Sequence, residues 1–328
     1  MRFLSRVTIT VVLFLAMTTL AWSAPSPPFW YTATGFLYES WFKVEAADLL
    51  GTGASQLVVL GRDYLDGRLA VQLLAWEGEK PVSKWESPNL LPEGPAMISC
   101  GRPLPGGTPM LLVLTQAHLY LYTVQDEKMI LTSQFKHALS PVELSVADLD
   151  GDGRDELLVV RLGQRRPTYD EHVVEVYRLT EEGLVKLGGS GLLGPVRALT
   201  AGDLDGDGCA EVVIDAGLSS RAGVCTVLGW DREKQALVPR LQVDGLLETM
   251  AFGLTVAPGD PGPLLYTADG WGRLNRFYLT SGQLIPAGEY YSFPKGLVGV
   301  AVGDLDGDGQ EEIMVVGHPN NLYVVSLN

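Results

Sequence analysis

Short apolar runs rich in β-branched residues recur along the chain and are separated by polar loops. Three of these runs, at 157–160, 212–214 and 313–316, each follow a loop of aspartates and glycines. Ahead of the first such loop, residues 142–146 alternate between apolar and polar side chains. Alternation with a period of two predicts a half-buried strand, and a short apolar run predicts a buried one. The pattern therefore predicts strand, tight loop and strand, repeated along the chain.

The aspartate-rich loops are copies of one another, and weaker copies lie between them. The loop Asp148–Gly153 recurs at Asp203–Gly208 and at Asp304–Gly309. Including the weaker copies, the first positions of the loops stand at residues 48, 101, 148, 203, about 258 and 304. A period near 50 residues, with room for four short strands, is typical of β-propeller blades.

We therefore expect an all-β protein, a β-propeller of four-stranded blades formed by residues 24–328 as a single domain. Six blades are expected, with five or seven as alternatives because the fifth repeat is faint. The repeats are placed at about 41–94, 95–140, 141–194, 195–248, 249–296 and 297–328. The last repeat ends at Asn328 without its outermost strand, and the surplus residues 30–40 are predicted to supply it.

Residues 1–23 have the features of a secretion signal peptide. Arg2 and Arg6 precede an apolar stretch at 7–20, and small residues stand at Ala21 and Ser23 before a cleavage point. The apolar stretch is shorter than the roughly 20 residues of a spanning helix, although a retained signal anchor is the alternative. We expect a secreted or cell-surface protein with no membrane span after cleavage.

Composition and charge reduce the number of functional classes to which the protein can belong. The chain has 328 residues, of which 46% are hydrophobic, enough to exclude a disordered protein. A net charge of −15 argues against a nucleic-acid partner and in favour of a divalent cation. Three cysteines exclude a disulfide scaffold, with isolated thiols expected and a Cys209–Cys225 pair left open.

The acid loops carry the candidate metal ligands. Counting the first aspartate as position one, carboxylates stand at positions one, three, five and nine. The acids are Asp148, Asp150, Asp152, Glu156, Asp203, Asp205, Asp207, Glu211, Asp304, Asp306, Asp308 and Glu312. The backbone carbonyls of position seven are those of Arg154, Cys209 and Gln310. All-oxygen ligation of this charge density suits Ca²⁺, which takes about 6–8 such ligands, so three Ca²⁺ sites are predicted.

An EF-hand is excluded because its twelfth position needs a glutamate, whereas Val159, Ile214 and Val315 stand there. The loops instead resemble the FG-GAP/VCBS repeat family, known from the N-terminal propellers of integrin α subunits. In that family the same loop positions bind Ca²⁺, and its members serve in cell adhesion. The Phe-Gly and Ala-Pro signatures leave traces only at 252–253 and 257–258, which places the chain nearer to bacterial-type repeat proteins.

A structural role for calcium is expected because two repeats keep the strand pattern without the acids. The loop at 48–56 has glutamine at position nine, and the loop at 101–109 has three prolines at the ligand positions. Four scattered histidines form no zinc motif. We therefore expect a monomeric module that binds a protein or a glycan. We do not expect the protein to be an enzyme. The alternative is a carbohydrate-active enzyme, a polysaccharide lyase or hydrolase. Residues 161–171 are a candidate contact loop.

Overall fold

The computed structural model describes residues 29–34, 40–62, 67–126, 128–217, 223–259, 261–318 and 321–326. The expected signal sequence at 1–23 and the second half of the predicted N-terminal strand, at 35–39, lie outside the described residues. Among the residues described, the single helix is a short 3₁₀ turn at Leu91–Glu93. In this part of the chain, no helix has the length and apolar character that crossing a membrane requires.

The strands form antiparallel units of four. The first strand of the chain, β1 (Phe29–Thr34), belongs to the last unit. The first unit contains β2 (Ser40–Ala47), β3 (Gln56–Arg62), β4 (Leu69–Glu77) and β5 (Lys80–Glu86). The second contains β6 (Met97–Gly101), β7 (Met110–Leu114), β8 (His118–Gln125) and β9 (Lys128–Lys136). The third contains β10 (Pro141–Ala147), β11 (Glu156–Arg165), β12 (Asp170–Thr180) and β13 (Gly183–Gly189).

The remaining units follow the same plan. The fourth contains β14 (Val196–Gly202), β15 (Glu211–Ala216), β16 (Val224–Asp231) and β17 (Ala236–Asp244). The fifth contains β18 (Ala251–Ala257), β19 (Leu264–Asp269), β20 (Arg273–Thr280), β21 (Gln283–Pro286) and β22 (Tyr291–Ser292). The sixth contains β23 (Leu297–Gly303), β24 (Glu312–Gly317) and β25 (Asn321–Ser326), together with β1.

The first strands of the units line the centre of a ring. Strands β2, β6, β10, β14, β18 and β23 contact one another in that order, and β23 returns to contact β2. The N-terminal strand closes the sixth unit, because β1 pairs antiparallel with β25, with Thr34 opposite Asn321. The predicted β-propeller fold, completed by an N-terminal strand, is confirmed.

The hydrophobic core lies between the units. The described part of the chain forms six clusters of buried side chains, and each is shared by two neighbouring units. One of them packs Val44 and Leu57 of the first unit against Met314 and Leu322 of the sixth. The second strand of each unit faces a neighbour on both sides, which explains why the sequence shows continuous apolar runs there. Residues 110–114, for example, are all buried.

Glycine permits a close contact between the outer strands of the third and fourth units. Their outer strands meet at a single bridge between Gly189 of β13 and Ala236 of β17. A Cβ added to Gly188 would lie 1.8 Å from the Gln235 carbonyl oxygen, so only glycine fits there. Gly188 and Gly189 are the last two residues of β13.

The candidate contact loop at 161–171 is mostly strand. Strand β11 continues to Arg165 and β12 begins at Asp170, which leaves a turn of four residues. This turn is closed by the Arg166 N–H, which donates to the Tyr169 carbonyl at 2.8 Å.

Candidate metal centres

Each acid loop joins the first strand of a unit to the second, and all three share one backbone conformation with loop 48–56. The glycines at positions four and six have φ between 67° and 86° in every copy. These angles fall in the left-handed region that side chains with a Cβ disfavour. The N–H of position six donates to the carboxylate of position one, as from Gly153 to Asp148 Oδ2 at 2.8 Å. The equivalent bonds in the other three loops measure 2.9 Å.

This conformation gathers carboxylates around one point in each loop. Ligand atoms lying within 4.8 Å of one another come from Asp148, Asp150 and Asp152 in the first acid loop. In the second loop they come from Asp203, Asp205 and Glu211, and in the third from Asp304, Asp306 and Asp308. The fourth predicted acid of each loop, namely Glu156, Asp207 or Glu312, is outside these clusters.

The acids at position nine are buried where the second strand begins. Glu156, Glu211 and Glu312 are each at most 4% exposed. Each accepts the N–H of position two, at 3.1, 3.0 and 2.9 Å respectively. Burial, with the neighbouring aspartates, raises the pKa of both Glu211 and Glu312 to about 7, and it also raises the pKa of Glu156. Burial and mutual repulsion of these carboxylates therefore lower the stability of the loops, and a bound cation would offset this loss.

The residues at position seven bond through their backbone N–H groups to the acids at position five. The N–H groups of Arg154, Cys209 and Gln310 donate to the carboxylate at position five, at 2.8–2.9 Å.

The three cysteines of the chain are free thiols, so the Cys209–Cys225 pair left open by the sequence is not formed.

An arginine side chain contacts the acids in the first two loops. In the first, Arg178 Nη2 lies 3.1 Å from Asp150 Oδ2, 3.2 Å from Asp152 Oδ2 and in contact with Glu156. In the second, Arg240 Nη1 lies 2.5 Å from Glu211 Oε1 and 3.3 Å from Asp205 Oδ2.

The strand register explains where these arginines come from. Arg178 follows Tyr177, which pairs with Leu157, so it stands beside Glu156 on the adjacent strand. Arg240 comes from an outer strand and crosses Gly229, where a Cβ would lie 2.0 Å from its Nε.

The third loop differs, because Ser326 is the residue opposite Glu312. Among the described residues, no lysine or arginine pairs with the acids of this loop. Its negative charge is therefore uncompensated by that part of the protein.

Loop 48–56 shows what fills the centre when glutamine replaces the glutamate. Gln56 Oε1 accepts the N–H of Leu49 at 2.8 Å, as the glutamates do. Its Nε2 donates to Thr52 Oγ1 at 3.4 Å and to the Ala54 carbonyl at 2.6 Å. Thr52 and Ala54 occupy positions five and seven, so an amide N–H points at the atoms predicted to bind metal elsewhere. The sequence signal for this feature is glutamine at position nine, together with Leu50 and Thr52 in place of aspartate at positions three and five.

These contacts test whether the acid loops fit a calcium ion. Asp150 Oδ1 is buried and has no hydrogen-bond partner among the described residues, so one oxygen at position three is unsatisfied. In the loops with arginine, and in the loop with Gln56, a positively polarised N–H group occupies the oxygen-lined centre. The donor set consists of oxygens alone, as hard divalent cations require. The residues present fit Ca²⁺.

The loops also connect neighbouring units. The Ala210 N–H donates to the Asp148 carbonyl at 2.8 Å, and the Ser55 N–H donates to the Asp304 carbonyl at 2.5 Å. Gly151 lies close to Cys209, since a Cβ at Gly151 would be 3.4 Å from the Cys209 sulfur. Each of these loops is therefore bonded to the neighbouring unit as well as to the strands of its own unit.

The central channel is polar in its wider part and narrow at one end. A chamber of about 150 Å³ is lined by all six inner strands, with Glu45, Cys100 and Thr200 among the lining residues. Toward the narrow end, Lys43 Nζ pairs with Glu143 Oε1 at 3.0 Å. Burial raises the pKa of Glu45 to about 7 and that of the Cys100 thiol well above its usual value.

Comparison with known proteins agrees with this architecture. Residues 148–214 match the FG-GAP-like repeat family, and this segment contains the first two acid loops. No curated protein is a significant match to the chain. A solved structure of BBS1N in complex with ARL6DN, from a crystal soaked with lead, superposes with a TM-score of 0.52. The similarity covers 89% of this chain and 98% of that one at 11% identity, which shows the fold alone. The chain thus carries an FG-GAP-like repeat within a β-propeller fold, as its sequence predicts.

Proposed function

We propose that this chain is an exported propeller that binds Ca²⁺ in its three acid loops and serves as an interaction module for a protein or a glycan. The observation that carries the proposal is the clustering of carboxylate oxygens within 4.8 Å in each of these loops. Packing three acids this closely is unfavourable without a cation, and Ca²⁺ binding would offset the repulsion.

The role we assign to the ion is structural. Bound Ca²⁺ would supply positive charge, and the acids at positions one, three, five and nine and the carbonyl of position seven would hold it through their oxygens. The loops themselves orient these oxygens through the bonds from position six to position one. Because Ala210 and Ser55 bond to the neighbouring loops, ordering one loop also fixes the contact between units.

We propose an interaction role and no catalysis. In the acid loops, the carboxylates are engaged by backbone N–H groups of their own loop. In the channel, Glu143 is paired with Lys43. These restraints favour rigid placement over the proton transfer that a hydrolase or lyase needs. BBS1N, the structural neighbour, was crystallised with a protein partner. Export is proposed from residues 1–23, and a monomer is expected.

The test is a direct count of bound calcium. Residues 24–328 are dialysed to equilibrium against ⁴⁵Ca²⁺ at increasing concentration, with excess Mg²⁺ in a parallel series. We expect saturation at up to three Ca²⁺ per chain and little competition by Mg²⁺, which prefers fewer carboxylates and more water. The matched control is a variant with Asp148, Asp203 and Asp304 all changed to Asn, which should bind none. Absence of binding by the unmodified chain would refute the calcium proposal.

A further inference from the structure

The six inner strands place one layer of oxygen-bearing side chains around the central channel. In every unit the last residue of the first strand pairs with the first residue of the second, so the six inner strands share one register. The residues two positions before the ends of these strands are Glu45, Ser99, Ser145, Thr200, Thr255 and Ala301. All six line the chamber of about 150 Å³, whose other lining side chains are apolar apart from the Cys100 thiol. The side-chain oxygens of the chamber therefore lie in a single layer.

The hydroxyl groups of this layer lack partners within the protein. Ser99, Ser145 and Thr200 are each at most 8% exposed. None of their hydroxyls forms a hydrogen bond with another described residue. The residues one position earlier on the same strands are apolar and pack between the units, as Val44 and Leu144 do. Buried hydroxyls are normally hydrogen-bonded, so those of the layer require water or a ligand in the chamber.

The channel contains one carboxylate more than its cation balances. Lys43 Nζ lies 3.0 Å from Glu143 Oε1 and 3.9 Å from Glu45 Oε1, so two carboxylates share one ammonium group. Among the described residues that line the chamber and the narrow end, no other is charged. Burial raises the pKa of Glu45 to about 7, although Lys43 opposes this rise. The chain alone therefore leaves one negative charge in the channel incompletely stabilised.

The chemistry of the chamber favours a hard cation of single charge. Carboxylate and hydroxyl oxygens suit hard cations, and an excess of negative charge disfavours an anion. Each inner strand also stands at the end of its sheet, which leaves backbone carbonyls on its free edge. One net negative charge is balanced by one monovalent ion. Calcium affinity depends on the number of charged ligands, so Ca²⁺ prefers the acid loops, which have four carboxylates each.

The size of the chamber favours K⁺ over Na⁺. At roughly 30 Å³ for each water molecule, a chamber of about 150 Å³ holds an ion together with part of its hydration shell. Small ions release their water less readily than large ones, as Mg²⁺ does relative to Ca²⁺. A layer of mostly neutral oxygens repays that loss only in part, so the larger alkali ion is the better fit.

We propose that the central chamber binds one partly hydrated K⁺ ion. The Glu45 carboxylate supplies the balancing charge, and the hydroxyls of Ser99, Ser145 and Thr200 supply neutral oxygens, directly or through retained water. The ion thereby connects the inner strands of several units at the axis of the ring. This site is separate from the acid loops, and the inference does not depend on the calcium proposal.

Thermal unfolding in different salts tests for the ion. Residues 24–328 are unfolded in excess Ca²⁺ with KCl, NaCl or tetramethylammonium chloride at equal ionic strength, since the last cation is too large to coordinate these oxygens closely. We expect a melting temperature about 2–4 °C higher in KCl than in tetramethylammonium chloride, with NaCl between them. Glu45→Gln should abolish the difference, and Thr200→Val should reduce it without a change of charge. Glu182→Gln is the matched control, because it removes the same charge from an exposed turn.

A crystal structure locates the ion. Crystals of the same protein are grown with Rb⁺ in place of K⁺, and anomalous scattering is measured at the rubidium edge. A peak in the chamber that is absent in Glu45→Gln supports the site. No peak there, equal melting temperatures in KCl and tetramethylammonium chloride, or a higher one in NaCl than in KCl overturns it. A calcium-dependent rise in melting temperature without a potassium effect would contradict this inference and leave the calcium proposal standing.

Discussion

Arg178 and a calcium ion compete for the same carboxylates in loop 148–156. The guanidinium lies 3.1 Å from Asp150 and 3.2 Å from Asp152 and also contacts Glu156, whose side chain is 2% exposed. Calcium can take up these oxygens only after the arginine has moved away. We therefore predict that Arg178→Gln lowers the stability of the metal-free protein and raises the calcium affinity of this loop.

The size of the stability change follows from the hydrogen bonds that the Arg178 guanidinium donates to these acids. A hydrogen bond to a charged group contributes about 1.5–3 kcal/mol. Arg178 is 26% exposed, so solvent screens the interaction only in part. We expect Arg178→Gln to reduce the free energy of unfolding in EDTA by roughly 2 kcal/mol. In calcium the same interaction no longer has to be broken, so affinity should rise about 10- to 100-fold.

The assay isolates this loop. Asp205→Asn and Asp306→Asn are introduced together to weaken the other two loops, and calcium is then titrated by calorimetry with and without Arg178→Gln. Arg165→Gln serves as the charge-matched control on the same unit. Unchanged or reduced affinity in Arg178→Gln would refute the competition between arginine and metal.

Three further predictions concern single buried groups. Gln56→Glu should cost about 2 kcal/mol in EDTA, because both donations from its amide are lost; an unchanged urea midpoint would count against this. Glu312→Gln should raise the melting temperature in EDTA at pH 8, because burial and nearby aspartates raise the pKa of Glu312 to about 7. The same substitution should reduce the rise in melting temperature that calcium causes. A lower melting temperature of the variant in EDTA would contradict this prediction. Burial also raises the pKa of Asp215 to about 6 from 3.8. The stability linked to that proton is present below about pH 4 and is lost as the pH rises through 6. Asp215→Asn should therefore stabilise the protein by about 2–3 kcal/mol at pH 8 and by little at pH 4, in urea titrations at both values; an equal effect at both would disprove the linkage.

The fold was predictable because its signals are local and repeated. The two glycines of each loop need positive φ, and the following apolar run must be buried on both faces, so loop and strand are both visible in the sequence. The closing role of the N-terminal strand also followed, because a last repeat lacking a strand leaves an open edge.

The side-chain interactions that distinguish the loops from one another could not be predicted in the same way. Arg178 reaches Glu156 only because of the pairing between β11 and β12, and Arg240 reaches Glu211 only because Gly229 leaves room. Both depend on strand register, which the repeat pattern does not contain. The outer edge of the fifth unit, where β20 pairs with both β21 and β22, falls in the faintest repeat, where the pattern gives least information.

The central claim is that calcium binding to the acid loops stabilises the propeller. The most direct measurement is thermal unfolding of residues 24–328 in excess Ca²⁺, in excess Mg²⁺ and in EDTA. Ligands that bind only the folded state raise its stability by about 4 kcal/mol at a thousandfold excess over their dissociation constant. We predict a melting temperature several degrees higher in Ca²⁺ than in EDTA, with Mg²⁺ close to EDTA. Equal melting temperatures in Ca²⁺ and EDTA would contradict the account.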